Sequence, residues 1–186
     1  VLSSGPTVTV DGQAYEAENV LVCTGSSPAV PPIPGIDAPY VVDSTGILQV
    51  ETLPENLVVV GGGVIGCEFA CFFASVGVPV TVLEALPEIC PGVDAEVAAV
   101  LRSELEKKGV TFRLGAKVEA IGEKTVTYSV DGETAEVPAD LALVATGRRP
   151  NVTGLGLEDL RVDFDERGGI RVDERCATNV PGVWAA

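Results

Sequence analysis

A chain of 186 residues can bury a real core as one domain or one domain with appendages. Its 46% hydrophobic and 21% charged make-up, with 21 glycines and 13 prolines, suits an α/β enzyme fold with many tight turns. Twenty-seven acids against twelve bases leave a net charge of −15, which disfavours nucleic acid and anionic membranes as partners. No apolar run approaches a bilayer span and no leader-type segment opens the sequence, so neither a membrane protein nor a secreted one is expected.

In chain order, Val8–Val10 and Asn19–Cys23 read as strands, the first closed by Asp11-Gly12, a hairpin signal. Thr24-Gly25-Ser26-Ser27 breaks the pattern, and Pro28, Pro31, Pro32 and Pro34 predict an extended surface connection to Gly35. Ser44 is placed to cap a short helix through Val50, which Pro54 ends. From Leu57 the pattern alternates between strand and helix. Leu57–Val60 is a continuously apolar strand of the kind buried on both faces of a parallel sheet. Gly63–Ser75 reads as a helix, Val80–Leu83 as a strand, Ala95–Lys108 as an amphipathic helix capped by Asp94 and stopped at Gly109, and Val110–Leu114 as a third strand. This βαβαβ series is half of a doubly wound sheet.

An interruption follows. Lys117–Ile121, Thr125–Val130 and Thr134–Val137 alternate with period two around an Asp131-Gly132 turn, predicting a three-stranded antiparallel meander in place of a crossover helix. Leu141–Ala145 returns to the buried parallel type, Asn151–Asp165 is loop-rich, and a short strand is expected near Gly169–Val172. The expected division is 1–42 as an appendage and linker, 43–150 as the central domain, and 151–186 as a return segment.

The chemistry concentrates at Gly61-Gly62-Gly63-Val64-Ile65-Gly66. A bare G-x-G-x-x-G is weak evidence, but here it follows a buried strand, opens a helix, and precedes an acid, Glu84, at the end of the next strand. Gly61 allows the tight turn, Gly63 lets backbone approach a pyrophosphate without a Cβ, and Gly66 lets the helix pack closely on the sheet. The helix then offers unpaired N–H groups and its positive dipole end to the phosphates. The Glu84 carboxylate can accept hydrogen bonds from both adenine-ribose hydroxyls and would repel a 2′-phosphate. Ala85 and Leu86 follow it with no base adjacent, so NAD is expected over NADP. Glu68 is expected in the first turn of the same helix, where the macrodipole alone could account for it.

Cys23, Cys67, Cys71, Cys90 and Cys176 form no disulfide-scaffold spacing. With no histidine and no C-x-x-C pair, no metal site is expected. Cys67 and Cys71 share a helix face and read as small packing residues, and reduced thiols point to the cytoplasm.

Asp43-Ser44-Thr45-Gly46-Ile47-Leu48, Leu53-Pro54, Leu57 through Glu68, Ala145-Thr146-Gly147-Arg148-Arg149-Pro150-Asn151 and Thr178-Asn179-Val180-Pro181-Gly182-Val183 together resemble the flavin-dependent pyridine nucleotide–disulfide oxidoreductases. Val82-Leu83-Glu84, Leu86-Pro87-Glu88-Ile89 and Pro91-Gly92-Val93-Asp94 most resemble the dihydrolipoamide dehydrogenase branch. The resemblance implies a Rossmann-like FAD/NAD(P)-binding fold in which the meander crossover belongs to the NAD domain. It implies that Thr24, Gly25 and Ser26 touch the flavin nucleotide, that Val118 packs near the adenine end of NAD, and that Gly147 lies beside the nicotinamide half. By the same resemblance Glu68 pairs with an FAD-domain lysine near the point of hydride transfer, a lysine that is not in this sequence.

The family's N-terminal flavin fingerprint, its C-x-x-x-x-C pair and its C-terminal histidine–glutamate pair are not in these 186 residues. With no methionine and an apolar run at the end, Val183–Ala186, the sequence reads as an excised NAD(H)-binding fragment, inactive alone. The parent would use FAD, a lipoyl-bearing protein and a homodimer partner. Two alternatives stay open. One is the NAD domain of another flavoprotein, such as an NADH oxidase, a transhydrogenase or a mercuric reductase. The other is a non-catalytic NAD-binding or redox-sensing module.

Overall fold

Leu57, Val58, Val59 and Val60 leave no polar side chain to face water, so the strand they form must be covered on both sides. In the computed structural model, which describes residues 2–3 and 7–186, they form the middle strand of a five-stranded parallel sheet. The chain divides into two compact units, one of Pro28–Gly147 and one of Val1–Ser27 with Arg148–Ala186.

In the larger unit the elements run β1 (Val41–Val42), β2 (Leu57–Val60), α1 (Val64–Ser75), β3 (Val80–Glu84), α2 (Ala95–Lys107), β4 (Val110–Leu114), β5 (Lys117–Ile121), β6 (Thr125–Val130), β7 (Glu133–Pro138) and β8 (Leu141–Val144). The sheet order is β1-β8-β2-β3-β4, every pairing parallel. Alternation along β2 splits the core in two. Leu57 and Val59 pack with Cys67, Ala70 and Phe73 of α1 and Ala98 and Leu105 of α2. Val58 and Val60 pack with Ile121, Val126 and Tyr128 of the meander β5-β6-β7. The meander expected from period-two alternation is thus present and covers the sheet face that a crossover helix would otherwise fill. Its β6–β7 turn holds Asp131 and Gly132 at φ of 51° and 84°, the paired positive φ that a two-residue hairpin requires.

Two local expectations are corrected. The short helix is a 3₁₀ turn, Gly46–Gln49, whose N-cap is Thr45 rather than Ser44 and makes no capping hydrogen bond through its side chain. The Asp43 carboxylate accepts from the N–H groups of Thr45 and Gly46, both at 2.8 Å, because a short carboxylate reaches amides two and three residues ahead. The proline-rich stretch is also more than a surface connection. Ile33, Ile36, Ala38, Tyr40 and Val41 pack onto the meander-side core, and the Tyr40 hydroxyl donates to the Gly122 carbonyl at 2.6 Å. Compactness therefore breaks at Pro28, earlier than the change of sequence pattern. The two ends of this unit meet, the Ala29 N–H donating to the Gly147 carbonyl at 2.9 Å.

The smaller unit has its own core of Val22, Val152, Leu157, Val162, Val183 and Ala185. Val20–Val22 pairs in parallel with Val183–Ala185, and Thr7–Val10 forms the expected hairpin with Gln13–Glu16. Among the described residues no helix is long and apolar enough to cross a membrane.

Candidate functional site

The strands after which the chain turns back, β2, β3 and β8, all end at one edge of the sheet. β8 lies on one side of β2 and β3 on the other, so the loops leaving these strands diverge and open a crevice at their carboxyl ends. A cavity of about 490 Å³ fills that crevice. Its walls are Gly61, Gly63, Val64 and Ile65 after β2, Glu84–Leu86 after β3, Ala145–Gly147 after β8, and Lys117 and Val118 at the start of the meander.

Each glycine of the turn answers a different constraint. Gly61 sits at φ 107°, and a Cβ there would lie 2.5 Å from the Ala145 carbonyl oxygen. A Cβ on Gly66 would lie 2.0 Å from the Gly61 carbonyl oxygen, so only glycine lets α1 start so close to the strand that feeds it. A Cβ on Gly63 would meet nothing within 4 Å, leaving backbone open toward the cavity. Gly63 is the helix N-cap and no side chain caps the helix. The first helical bond runs from Cys67 N–H to the Gly63 carbonyl, so the N–H groups of Gly63, Val64 and Ile65 face the cavity end of α1 without a backbone acceptor.

Glu84 is the one buried charged side chain among the described residues, at 7% exposure. The Gly62 N–H donates to its Oε2 at 2.5 Å and the Leu86 N–H to its Oε1 at 2.8 Å. Each oxygen of a carboxylate has two acceptor sites, so one on each remains after these bonds. The turn after β4 fastens to the same stretch, Ala116 N–H to the Glu84 carbonyl at 2.8 Å and Gly115 N–H to the Leu86 carbonyl at 3.0 Å. That tie carries Val118 and Lys117 to the cavity. No base follows Glu84 directly in sequence; Lys117 lines the same cavity, with its ammonium 3.1 Å from Glu119 and largely exposed. Ile33 and Lys117 also line the cavity, and nothing local in the sequence marks either one, because tertiary folding alone brings them to the rim.

Glu68 is elsewhere. It is the fifth residue of α1, whose first turn contains no acid, so the dipole argument for it fails. It is exposed and lies on a separate apolar groove with Ile47, Leu48, Leu53, Phe69 and Phe72. Thr24, Gly25 and Ser26 lie in the smaller unit, laced to the motif Arg148–Asn151. Asn151 donates through Nδ2 to the Thr24 carbonyl at 2.9 Å and through its backbone N–H to the Gly25 carbonyl at 2.9 Å. Arg148 donates through Nε to the Ser26 hydroxyl at 2.7 Å and through Nη2 to the Ser26 carbonyl. Thr24, Gly25, Ser26 and Arg148 wall a groove of about 450 Å³ together with Gly168, Gly169 and Ile170. Among the described residues no group of three or more potential metal ligands comes together.

The sequence model described as pyridine nucleotide-disulphide oxidoreductase matches residues 2–186. The chain belongs to the pyridine nucleotide–disulphide oxidoreductase family. Among this family's curated members it is 39% identical to the dihydrolipoyl dehydrogenase of Acholeplasma laidlawii, over 99% of this chain and 55% of that one. It is 43% identical to dihydrolipoyl dehydrogenase 3 of Pseudomonas putida, over 92% of this chain and 38% of that one. Among solved family structures, the HOCl-induced flavoprotein disulfide reductase RclA from Escherichia coli superposes with a TM-score of 0.83 at 36% identity. That match covers 97% of this chain and 44% of the reductase. The chain thus spans about half or less of the length of these relatives. The family resemblance read from the ordered motifs, and the Rossmann-like α/β fold that it implied, are both found.

Proposed function

We propose that the cavity at the head of α1 binds NAD(H) in preference to NADPH, and that residues 43–150 serve as the nicotinamide-dinucleotide part of a dihydrolipoyl dehydrogenase-like flavoprotein. The observation that carries this reading is the buried Glu84, fixed beside an uncapped helix N-terminus with an acceptor site free on each oxygen. Gly63, Val64 and Ile65 would hold the pyrophosphate through backbone N–H groups, where the dipole offsets part of the repulsion from a chain of net charge −15. Glu84 would hold the adenine ribose and Val118 would pack near the adenine. Gly147, at φ 126° with open space where a Cβ would stand, would border the nicotinamide half. Gly62 and Gly66 shape the turn from behind. When bound, the nicotinamide supplies a hydride acceptor; the residues of this chain bind it and orient it.

In the whole protein the hydride would come from reduced FAD, electrons having entered from the thiols of a lipoyl-bearing protein in a homodimeric enzyme. Thr24, Gly25 and Ser26 would border the flavin nucleotide. Glu68, outside the dinucleotide cavity, would face a flavin-side partner beyond this chain. The turnover itself belongs to residues outside these 186, and the chain alone would be inactive.

Because NAD and FAD share an adenosine diphosphate half, the same cradle could hold FAD instead, and titration separates the two. Calorimetry with NADH, NADPH and FAD should give tight binding for NADH alone at this site. Glu84→Arg should weaken NADH by about tenfold or more and erase the preference, since one lost charged hydrogen bond is worth roughly 1.5–3 kcal/mol. Equal affinity for NADH and NADPH, or competition by FAD, would sink the assignment.

A further inference from the structure

Two cysteines that the proposed function does not use lie directly beneath the glycine turn. Cys67 on α1 and Cys90 in the loop between β3 and α2 are each 4% exposed, and their sulfurs are 3.8 Å apart. Both reach the same atom. The Gly62 carbonyl accepts from the Cys90 backbone N–H at 2.8 Å, and the Cys67 thiol lies 3.4 Å from it as a donor. The N–H of the same residue, in the preceding peptide group, donates to Glu84 Oε2.

We propose that Cys67 and Cys90 are positioning residues that hold Gly62, and through its N–H the Glu84 carboxylate, in the orientation that reads the adenine ribose. The step from thiols to Glu84 is geometric, whereas the ribose readout rests on the function proposed above. The Gly62 carbonyl and the Gly62 N–H lie in successive peptide planes joined at one Cα, so the two bonds to the carbonyl set where that Cα sits and limit how far the N–H can turn from Oε2. There is little slack, since a Cβ on Gly62 would stand 3.1 Å from Glu84 Oε2. Cys90 itself holds φ at 52°, a conformation that residues with side chains rarely adopt, and in it the Cys90 N–H meets the Gly62 carbonyl. Burial, aided by Cys90, pushes the Cys67 thiol up to about 12, so it remains an S–H donor throughout the physiological range. A packing role alone would ask for small apolar side chains at both positions and would be indifferent to the donor.

The test compares Cys67→Ala, Cys67→Ser and Cys90→Ala in the intact protein. The first readout, taken without nucleotide, is residue-resolved hydrogen exchange at the Gly62 amide. Cys67→Ala and Cys90→Ala should speed that exchange by about tenfold, the range expected for weakening one hydrogen bond, and Cys67→Ser should restore protection because it keeps a donor. The second readout is the ratio of NADPH to NADH dissociation constants, which should fall by about threefold or more in the alanine variants and recover in the serine one. Unchanged Gly62 exchange in both alanine variants, with only a lower Tm, would overturn the proposal. If Gly62 exchange responds while the unmodified protein binds neither dinucleotide, the thiol-to-Glu84 positioning stands and the proposed function falls.

Discussion

Gly63 and Gly66 stand three residues apart in one turn and obey different constraints. Gly63 has an ordinary φ of −69° and open space where a Cβ would project. Gly63→Ala should therefore leave urea stability within about 0.5 kcal/mol while weakening NADH binding by about tenfold or more, because the added methyl stands where a pyrophosphate would approach. Gly66 faces backbone, not ligand, with the Gly61 carbonyl 2.0 Å from a Cβ position. Gly66→Ala should cost about 3 kcal/mol or more of folding stability with or without nucleotide, since backbone cannot swing aside as a side-chain tip does. Denaturation midpoints and dissociation constants measured on both variants would separate the two roles, and a Gly66→Ala protein of normal stability would contradict this account of the turn.

At the level of elements, the loop between β3 and α2 is the piece that brings Cys90 under the glycine turn, and an ion pair fastens it. Arg102 of α2 donates through Nε to Glu88 Oε1 at 2.9 Å and through Nη2 to Oε2 at 3.1 Å. The Arg102 bonds, with the Ile89 N–H, hold the Glu88 carboxyl below the usual carboxylate range. A carboxylate lowered in the folded state contributes stability above its unfolded pKa and loses it as pH falls through the folded value. Arg102→Met should thus cost about 0.5–1 kcal/mol at pH 7, modest because both side chains are about a quarter exposed, and the gap to the parent should close under acid conditions. A gap independent of pH in chemical denaturation would assign the loss to packing instead. The regular elements were legible in the sequence because their signals are local: four apolar residues for β2, alternation plus Asp131-Gly132 for the meander, Asp94 and Gly109 at the ends of α2. The carboxylate at Glu84 was legible for the same reason, following a strand at a fixed spacing from the turn. What stayed hidden was created by folding. Cys67 was read with Cys71, its helix neighbour, whereas its sulfur meets Cys90, 23 residues on. Lys117 follows Gly115 and Ala116, which bond the Leu86 and Glu84 carbonyls at the end of β3. Asp43 and Ser44 are adjacent and chemically alike as acceptors for the amides that open the 3₁₀ turn, so only geometry separates them.

At the scale of the molecule, each of the three hydrophobic clusters among the described residues is drawn from one unit. The clusters on either face of the parallel sheet draw wholly on residues 28–147, and the third wholly on the remainder. A unit with its own core is expected to fold alone. Residues 28–147 expressed separately should unfold in one cooperative transition and bind NADH within about threefold of the whole chain, as checked by circular dichroism and calorimetry. A molten, non-cooperative product would show that the clusters depend on each other. The hydrogen bond between Ala29 and Gly147 has one more consequence. A segment whose entry and exit coincide behaves, for the chain that carries it, like a graft on a single stem: its length and contents can change with little effect on the path of the host. The entropic cost of closing such an excursion rises only logarithmically, about 0.6 kcal/mol per doubling. Relatives of this chain should therefore be able to trade the whole graft by recombination, exchanging its cavity in one event rather than through successive point changes.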